Sequence, residues 1–218
     1  MTGGGGRIII KADSIDFSSA GPKLQADGMP LPGHQNDDLR KLQGGSGGYI
    51  YLHTENKKQK NNFHAKARIS AVGGHGVGHA GAGSGGVIVF DGGVEHVLNS
   101  TKKSQDAYQL DLDASGGYSD YNSGKADYNG CANGASGTIY FRGSDTLILD
   151  NKEKVTDKYT RMQAPKTNQK WNSPHLIAKS VVLQGRANGA ILGEHHWMAF
   201  DDLRLDANVT LTLDRERY

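Results

Sequence analysis

Clusters of glycine, each followed at once by a short apolar run, constrain the fold of this chain more than any other feature. Residues 44–48 (GGSGG) lead into 49–52 (YIYL), and residues 83–86 (GSGG) lead into 87–90 (VIVF). The second apolar residues of the four runs of this kind fall at positions 9, 50, 88 and 139, which gives spacings of 41, 38 and 51 residues. This is a degenerate repeat with connections of variable length, as in proteins built from stacked units.

A second recurring element lies between these runs. It is a short stretch of alternating apolar and polar residues that ends in alanine and glycine, as in 24–28 (LQADG), 69–74 (ISAVGG) and 110–117 (LDLDASGG). Residues 203–213 alternate in the same way over a longer stretch. A period of two residues predicts half-buried strands.

Helix signals are weak throughout, since no window of twelve or more residues has an apolar stripe of helical period and glycine disfavours helix. The sequence therefore predicts an all-β chain. We interpret the repeat as a parallel, right-handed β-helix with long glycine-rich loops, in which glycine allows positive φ angles or close approach of neighbouring coils. A β-sandwich is the alternative. The expected inward-facing residues are Ile8, Ile15, Phe17, Leu24, Ile50, Ile69, Ile88, Leu110, Leu112, Ile139, Leu147, Val181, Leu203, Leu205 and Leu211.

The distribution of glycine divides the chain into two parts of one expected domain, 1–218. Residues 1–143 hold 28 of the 31 glycines and form the regular repeat part. Residues 144–218 are less regular and contain a polar stretch, 151–173, that we interpret as an insertion.

Charge and composition exclude several classes of protein. The net charge is +2 without a long block of one sign, so nothing indicates a nucleic-acid partner. The single cysteine, Cys131, excludes an intrachain disulfide framework, and the longest apolar runs are too short to span a membrane. No leader sequence begins the chain, which we interpret as a piece of a longer or processed protein.

The glycine clusters followed by apolar triplets, together with the I-x-A-x-G-G segments, resemble the glycine-rich β-helix repeats of large surface or secreted proteins in protists, plants and bacteria. The residues that carry this resemblance are 44–52, 69–74, 83–90 and 112–117. The resemblance implies an extracellular structural or adhesive module, at the cell surface or in a fibre, and it implies no catalytic residues.

Several side chains are candidates for binding or modification. Three tyrosines cluster in one glycine-containing loop and could stack on sugar rings, which gives a candidate glycan site. The same loop holds oxygen ligands that could bind calcium, although their spacing differs from an EF-hand. Two N-glycosylation sequons also occur. The residues concerned are Tyr118, Tyr121 and Tyr128 for glycan, Asp120, Asn122 and Asp127 for calcium, and Asn99 and Asn208 for glycosylation.

Enzyme signatures are few. A G-x-S-x-G match at 44–48 leads into a predicted strand, whereas a nucleophile elbow requires a helix at that point. The G-x-G-x-x-G matches also lack the following helix that a dinucleotide site requires. Asp111 and Asp113 fall on the outward face of one predicted strand and are candidates for a polysaccharide-cleaving site if an Arg or Lys joins them. We therefore expect a structural module that associates with itself or with adjacent repeats, and a carbohydrate-active β-helix, either a lyase or a glycan-binding module, is the alternative.

Overall fold

The computed structural model describes residues 3–17, 21–29, 43–55, 62–63, 67–76, 81–93, 111–119, 133–162, 178–192 and 200–214. These residues form strands and turns with almost no helix, so the predicted all-β class is confirmed. None of the described residues belongs to a helix with the length and apolar character that crossing a membrane requires.

The strands are short, as the closely spaced glycines require. In chain order they are β1 (Arg7–Ala12), β2 (Asp16–Phe17), β3 (Lys23–Gln25), β4 (Tyr49–Thr54), β5 (Asn62–Phe63), β6 (Arg68–Ser70), β7 (Val87–Gly92), β8 (Asp111–Asp113), β9 (Thr138–Phe141), β10 (Thr146–Asp150), β11 (Thr160–Arg161), β12 (Ser180–Gln184), β13 (Asn188–Leu192), β14 (Asp202–Leu205) and β15 (Thr210–Asp214).

Strands from successive repeats pair side by side in register. The seven-stranded main sheet has the order β1-β4-β7-β9-β10-β12-β14. Ile8, Ile50, Ile88 and Ile139 pair in turn across its first four strands. A first side sheet has the order β3-β6-β8, a second has the order β11-β13-β15, and β2 pairs with β5. The apolar runs that the sequence predicts as strands are therefore confirmed as neighbours in one sheet.

The main sheet is mixed, which corrects the expectation of purely parallel pairing. Its strands are parallel except for β9 and β10, which form an antiparallel hairpin through the turn at 142–145. Asp145 has a φ of 51° in this turn, and the preceding Gly143-Ser144 is a recognisable turn signal. The strand direction thus reverses beside the point where the glycine clusters end.

The reversal places two hydrophobic cores on opposite faces of the main sheet. The first core lies between the first four main strands and the first side sheet, and it contains Ile50, Ile69, Ile88 and Phe90. The second lies between β10, β12 and β14 and the second side sheet, and it contains Leu149 and other apolar residues. Strand β9 is buried along its whole length because its two faces contact different cores.

The predicted inward-facing residues are largely buried. Seven of them are buried, including Ile50, Ile88 and Leu147, and six more are half-buried. Leu205 is 48% exposed because β14 is the last strand of the main sheet, and Leu110 lies outside the described residues. The prediction of one continuous strand from the C-terminal alternation was wrong, since residues 206–209 form a turn between β14 and β15.

Seven glycine-rich segments form a double layer beside these sheets. Four leading segments, 3–6, 43–48, 81–86 and 133–137, each precede a strand of the main sheet. Three trailing segments, 26–29, 71–76 and 114–119, each follow a strand of the first side sheet. Hydrogen bonds run within each layer, since the Gly47 N–H donates to the Ser84 carbonyl at 2.8 Å and the Gly73 N–H donates to the Ser115 carbonyl at 3.0 Å.

Hydrogen bonds also join one layer to the other at equivalent positions of successive repeats. The N–H groups of Gly48, Gly86 and Gly137 donate to the carbonyls of Ala26, Ala71 and Ala114 at 2.7, 2.7 and 2.6 Å. Packed sheets usually lie about 10 Å apart because side chains separate them. Here the two layers are in direct backbone contact.

Close backbone approach is the reason for these glycines. A Cβ on Gly48, Gly86 or Gly137 would lie closer than 3.0 Å to backbone atoms of the preceding leading segment. The described glycines with positive φ are Gly21, Gly92 and Gly185, and none of them belongs to the double layer. The sequence suggests two roles for glycine, positive φ angles and close approach of neighbouring coils. In the double layer the glycines serve close approach.

Substitution of these glycines tests the double layer. We expect Gly86→Ala to lower the free energy of unfolding by about 3 kcal/mol or more, since the added methyl group would meet the backbone of Gly47 and Gly48, which cannot yield to it. The matched control is Gly6→Ala, since nothing lies within 4 Å of a Cβ at Gly6. This control is expected to be neutral or stabilising by about 0.4–1 kcal/mol. Urea unfolding of both variants measures the difference, and equal stabilities would contradict the proposed packing.

Candidate functional site

Residues 151–160, which we name the capping segment, cover the last repeat of the double layer. In earlier repeats the Gly28 N–H donates to Val72 O and the Gly73 N–H donates to Ser115 O. The equivalent Gly116 N–H donates instead to Oδ1 of Asn151, at 2.9 Å. Asn151 is fully buried, so its side chain replaces the carbonyl of a further repeat.

A second asparagine performs the same role for an N–H group three residues further along the trailing segment 114–119. The Gly76 N–H donates to Tyr118 O, whereas the equivalent Ser119 N–H donates to Oδ1 of Asn133 at 2.8 Å. Nδ2 of Asn133 in turn donates to the Val155 carbonyl at 2.9 Å. The hydroxyl of Thr156 donates to the Asn133 carbonyl at 3.0 Å. The capping segment therefore satisfies backbone groups that would otherwise be buried without partners.

Asp111 and Asp113, the predicted outward carboxylates, meet a cation on the neighbouring strand. Nη2 of Arg68 lies 3.2 Å from Oδ2 of Asp113, and its Nε lies 3.7 Å from Oδ2 of Asp111. Arg68 pairs with Asp111 in the register of β6 and β8, so sheet geometry sets this contact. Asp111 is half-exposed, whereas the side chain of Asp113 is only 14% exposed.

Lys154 of the capping segment is linked to Asp113 through Ser115. Its Nζ donates to Oγ of Ser115 at 2.7 Å and to the Gly116 carbonyl at 2.6 Å. Oγ of Ser115 donates to Oδ1 of Asp113 at 2.6 Å, which completes a chain from ammonium to carboxylate. Burial lowers the pKa of Lys154, and the negative charge of Asp113 opposes that shift.

We name Arg68, Asp111, Asp113, Ser115 and Lys154 the acid–base cluster. A half-buried amine with a lowered pKa beside carboxylates and a guanidinium is a combination that occurs at functional sites. The same hydrogen bonds also fix the capping segment to the double layer. The geometry therefore allows both a chemical and a structural role.

A second polar cluster lies on the opposite face of the main sheet from the first core. Oη of Tyr51 donates to Oδ2 of Asp91 at 2.6 Å, and Nη1 of Arg142 donates to the same oxygen at 2.9 Å. Nδ1 of His53 is 3.3 Å from this oxygen, and the rings of Tyr51 and His53 are nearly parallel at 6.2 Å. The chain brings these residues together from β4, β7 and the turn after β9.

Asp91 is held in its charged form by these neighbours. Burial raises its pKa, but the hydrogen bond from Tyr51 and the charge of Arg142 outweigh burial and leave the pKa below its ordinary value. The pKa of Tyr51 is raised by burial and by the hydrogen bond to Asp91. This pattern is that of a structural ion pair joining β4, β7 and the turn between β9 and β10.

Most of the predicted ligand residues lie outside the described part of the chain. Tyr118 is 41% exposed, and its ring stacks on His75 with centroids 5.5 Å apart. Within the described residues no three His, Cys, Asp or Glu side chains converge as metal ligands would. The predictions that remain outside the described residues concern Tyr121, Tyr128, Asp120, Asn122, Asp127 and Asn99.

The second sequon is described, and its position corrects one detail. Asn208 lies in the turn between β14 and β15 with a φ of 62°, instead of on the outward face of a continuous strand. It is exposed there. Asparagine tolerates this conformation better than most residues, which accounts for its presence in the turn.

Sequence reasoning missed Arg68 and Lys154 as partners of the acidic pair. Arg68 begins a segment that aligns with 111–113, so the repeat register contained a signal for it. Lys154 lies in the polar stretch 151–173, and nothing in its local sequence indicates contact with Ser115, 39 residues earlier.

The chain matches no protein-family model, and neither a curated protein nor a solved structure is significantly similar to it.

The pKa shift of Asp91 predicts a pH dependence of stability. Because its pKa is lower in the folded state, its contribution is fully present above the ordinary carboxyl range and is lost as pH falls through about 4 and below. We expect Asp91→Asn to reduce stability at pH 7 by about 1–3 kcal/mol and to flatten the decline between pH 5 and 3. The control is Asp13→Asn, at an exposed position. An unchanged acid slope in Asp91→Asn, measured by urea unfolding, would contradict this assignment.

Proposed function

We propose that the chain is a structural module of an extracellular surface protein or fibre, a right-handed β-helix whose repeats stack in parallel on either side of the β9–β10 reversal, and that it associates head to tail through its open edges. The in-register stacking of successive repeats supports the β-helix interpretation, since each repeat supplies one strand to the main sheet. Such units bury their apolar faces against neighbours and leave an unfinished face at each end.

The observation that carries the proposal is the state of the two outer strands of the main sheet. Among the described residues no strand pairs with the outer side of β1 or of β14. Leu205 is 48% exposed although its register partner Leu183 is fully buried, and Ile9 on β1 is 46% exposed. Open strands with exposed apolar side chains promote pairing with another chain.

Extracellular placement rests on the resemblance of the glycine clusters to repeats of surface and secreted proteins. Glycosylation at Asn99 and at the exposed Asn208 belongs to the same proposal. Calcium binding at 120–127 and glycan binding by Tyr118 and its neighbours in that loop are secondary proposals. No partner of another class is needed for the structural role.

Association of the purified chain tests this function. Sedimentation velocity at rising concentration is expected to show growing species for the wild type, and Ile9→Lys and Leu205→Lys are each expected to reduce association. Tyr159→Lys is the matched control, since Tyr159 is 53% exposed but lies on neither outer strand of the main sheet. A wild type that stays monomeric at every concentration would overturn the proposal, as would equal loss of association in all three variants.

A carbohydrate-active role is the second candidate, and the acid–base cluster favours it. A lyase would use Lys154 to take the C5 proton of a uronic acid residue whose carboxylate contacts Arg68. The electron pair would form the C4–C5 double bond and expel the sugar attached through the C4 oxygen. Incubation with polygalacturonate tests this role through the absorbance of unsaturated products. Such products should disappear in Lys154→Met and persist in Lys152→Met, and their absence from the wild type would exclude lyase activity on this substrate.

A further inference from the structure

The two outer strands of the main sheet match each other residue by residue. On β1, Ile8 and Ile10 face the first core while Arg7, Ile9 and Lys11 face outward. On β14, Leu203 packs against the second core and Leu205 shares its side of the strand. Asp202, Arg204 and the following Asp206 lie on the opposite side. Each strand therefore has one apolar face, and its other face carries charges, joined on β1 by the exposed Ile9.

We infer that β14 of one copy pairs in parallel with β1 of the next copy, in the register that places Leu203 beside Ile8 and Leu205 beside Ile10. This inference rests on the proposed head-to-tail association and specifies its geometry. In this register Asp202 lies beside Arg7 and Asp206 lies beside Lys11, so opposite charges meet at both ends of the contact. Arg204 lies beside Ile9, where its aliphatic stem covers the exposed isoleucine.

Antiparallel pairing of β14 with β1 would resemble the β9–β10 hairpin, but it would place one charged residue unfavourably. In that hairpin Leu147 pairs with Tyr140 and Ile148 pairs with Ile139, so both faces of the junction are apolar. The main-sheet register aligns Arg204 with Val182 and Ile148. An antiparallel contact of the same register would set Arg204 beside Ile8 at the edge of the first core, where a charge is costly.

Parallel pairing dictates the relation between copies. Within one copy β1 and β14 run in opposite directions because of the β9–β10 reversal. A parallel contact therefore requires each copy to be rotated by about half a turn about the stacking direction. That rotation also brings the second core of one copy and the first core of the next to the same side of the sheet. Repetition of this open contact gives a filament with a two-copy repeat.

Disulfide trapping in a Cys131→Ser background tests this register. The pair Ile9→Cys with Arg204→Cys is predicted to cross-link neighbouring copies, because in-register residues of adjacent strands lie within disulfide range. Both positions are exposed on the outward faces. A bond within one copy is excluded, because six strand spacings of about 4.8 Å, or about 29 Å, separate β1 from β14.

The comparison pair is Arg7→Cys with Leu205→Cys, which the antiparallel contact would place opposite each other. In the parallel register these positions lie three residues apart on opposite faces, so we expect cross-linked ladders on non-reducing gels at least tenfold weaker than those of the first pair. Ladders from the comparison pair alone, or from neither pair while the protein still sediments as assemblies, would overturn the inferred register but leave head-to-tail association standing. Absence of association in sedimentation would overturn both.

Discussion

The direct hydrogen bonds between the two glycine layers are the contact on which the rest of the structure depends. The carbonyls of Ala26, Ala71 and Ala114 accept from glycines of the next leading segment, and the methyl groups of the same alanines pack in the first core. The main sheet and the first side sheet therefore converge at one end to backbone contact. Each repeat has to present glycine at the same positions, while loops elsewhere are free to vary in length.

Within each layer of the double layer, each repeat supplies carbonyl acceptors for N–H groups of the repeat before it. The buried N–H groups of the last repeat therefore need acceptors from elsewhere in the chain. The chain meets this need with side chains, since Asn151 and Asn133 supply the acceptors for Gly116 and Ser119. The same capping contacts place Lys154 on Ser115, next to the Arg68–Asp113 ion pair. The acid–base cluster is therefore a consequence of capping. This origin explains why Lys154 donates its hydrogen bonds to Ser115 and to the Gly116 carbonyl, and it is a physical reason to prefer the structural function.

The first four strands of the main sheet followed from the sequence, because a glycine cluster before an apolar triplet marks the start of each strand. Ile50 and Ile88 illustrate this result. The predicted alignment of these strands was one residue wrong in the first repeat, where Ile8 and not Ile9 pairs with Ile50. The reversal at 142–145 and the capping contacts did not follow, since they depend on pairing between segments with no shared motif. The position of Ser136 was also not predictable from the motif alone. Ser136 aligns with Gly47 and Gly85, and not with Ser84. A side chain is tolerated there because Thr160 lies against it, whereas the two glycines face a trailing segment.

Hydrogen exchange at the glycine amides tests the central claim most directly, since it reports the cross-layer bonds one by one. We expect the amides of Gly48, Gly86 and Gly137 to exchange as slowly as that of Val87, which donates to the Gly48 carbonyl at the start of the β4–β7 pairing. Protection of Val87 together with exchange of Gly86 at the rate of an unstructured peptide would show that the two layers are not in backbone contact, and would contradict the account.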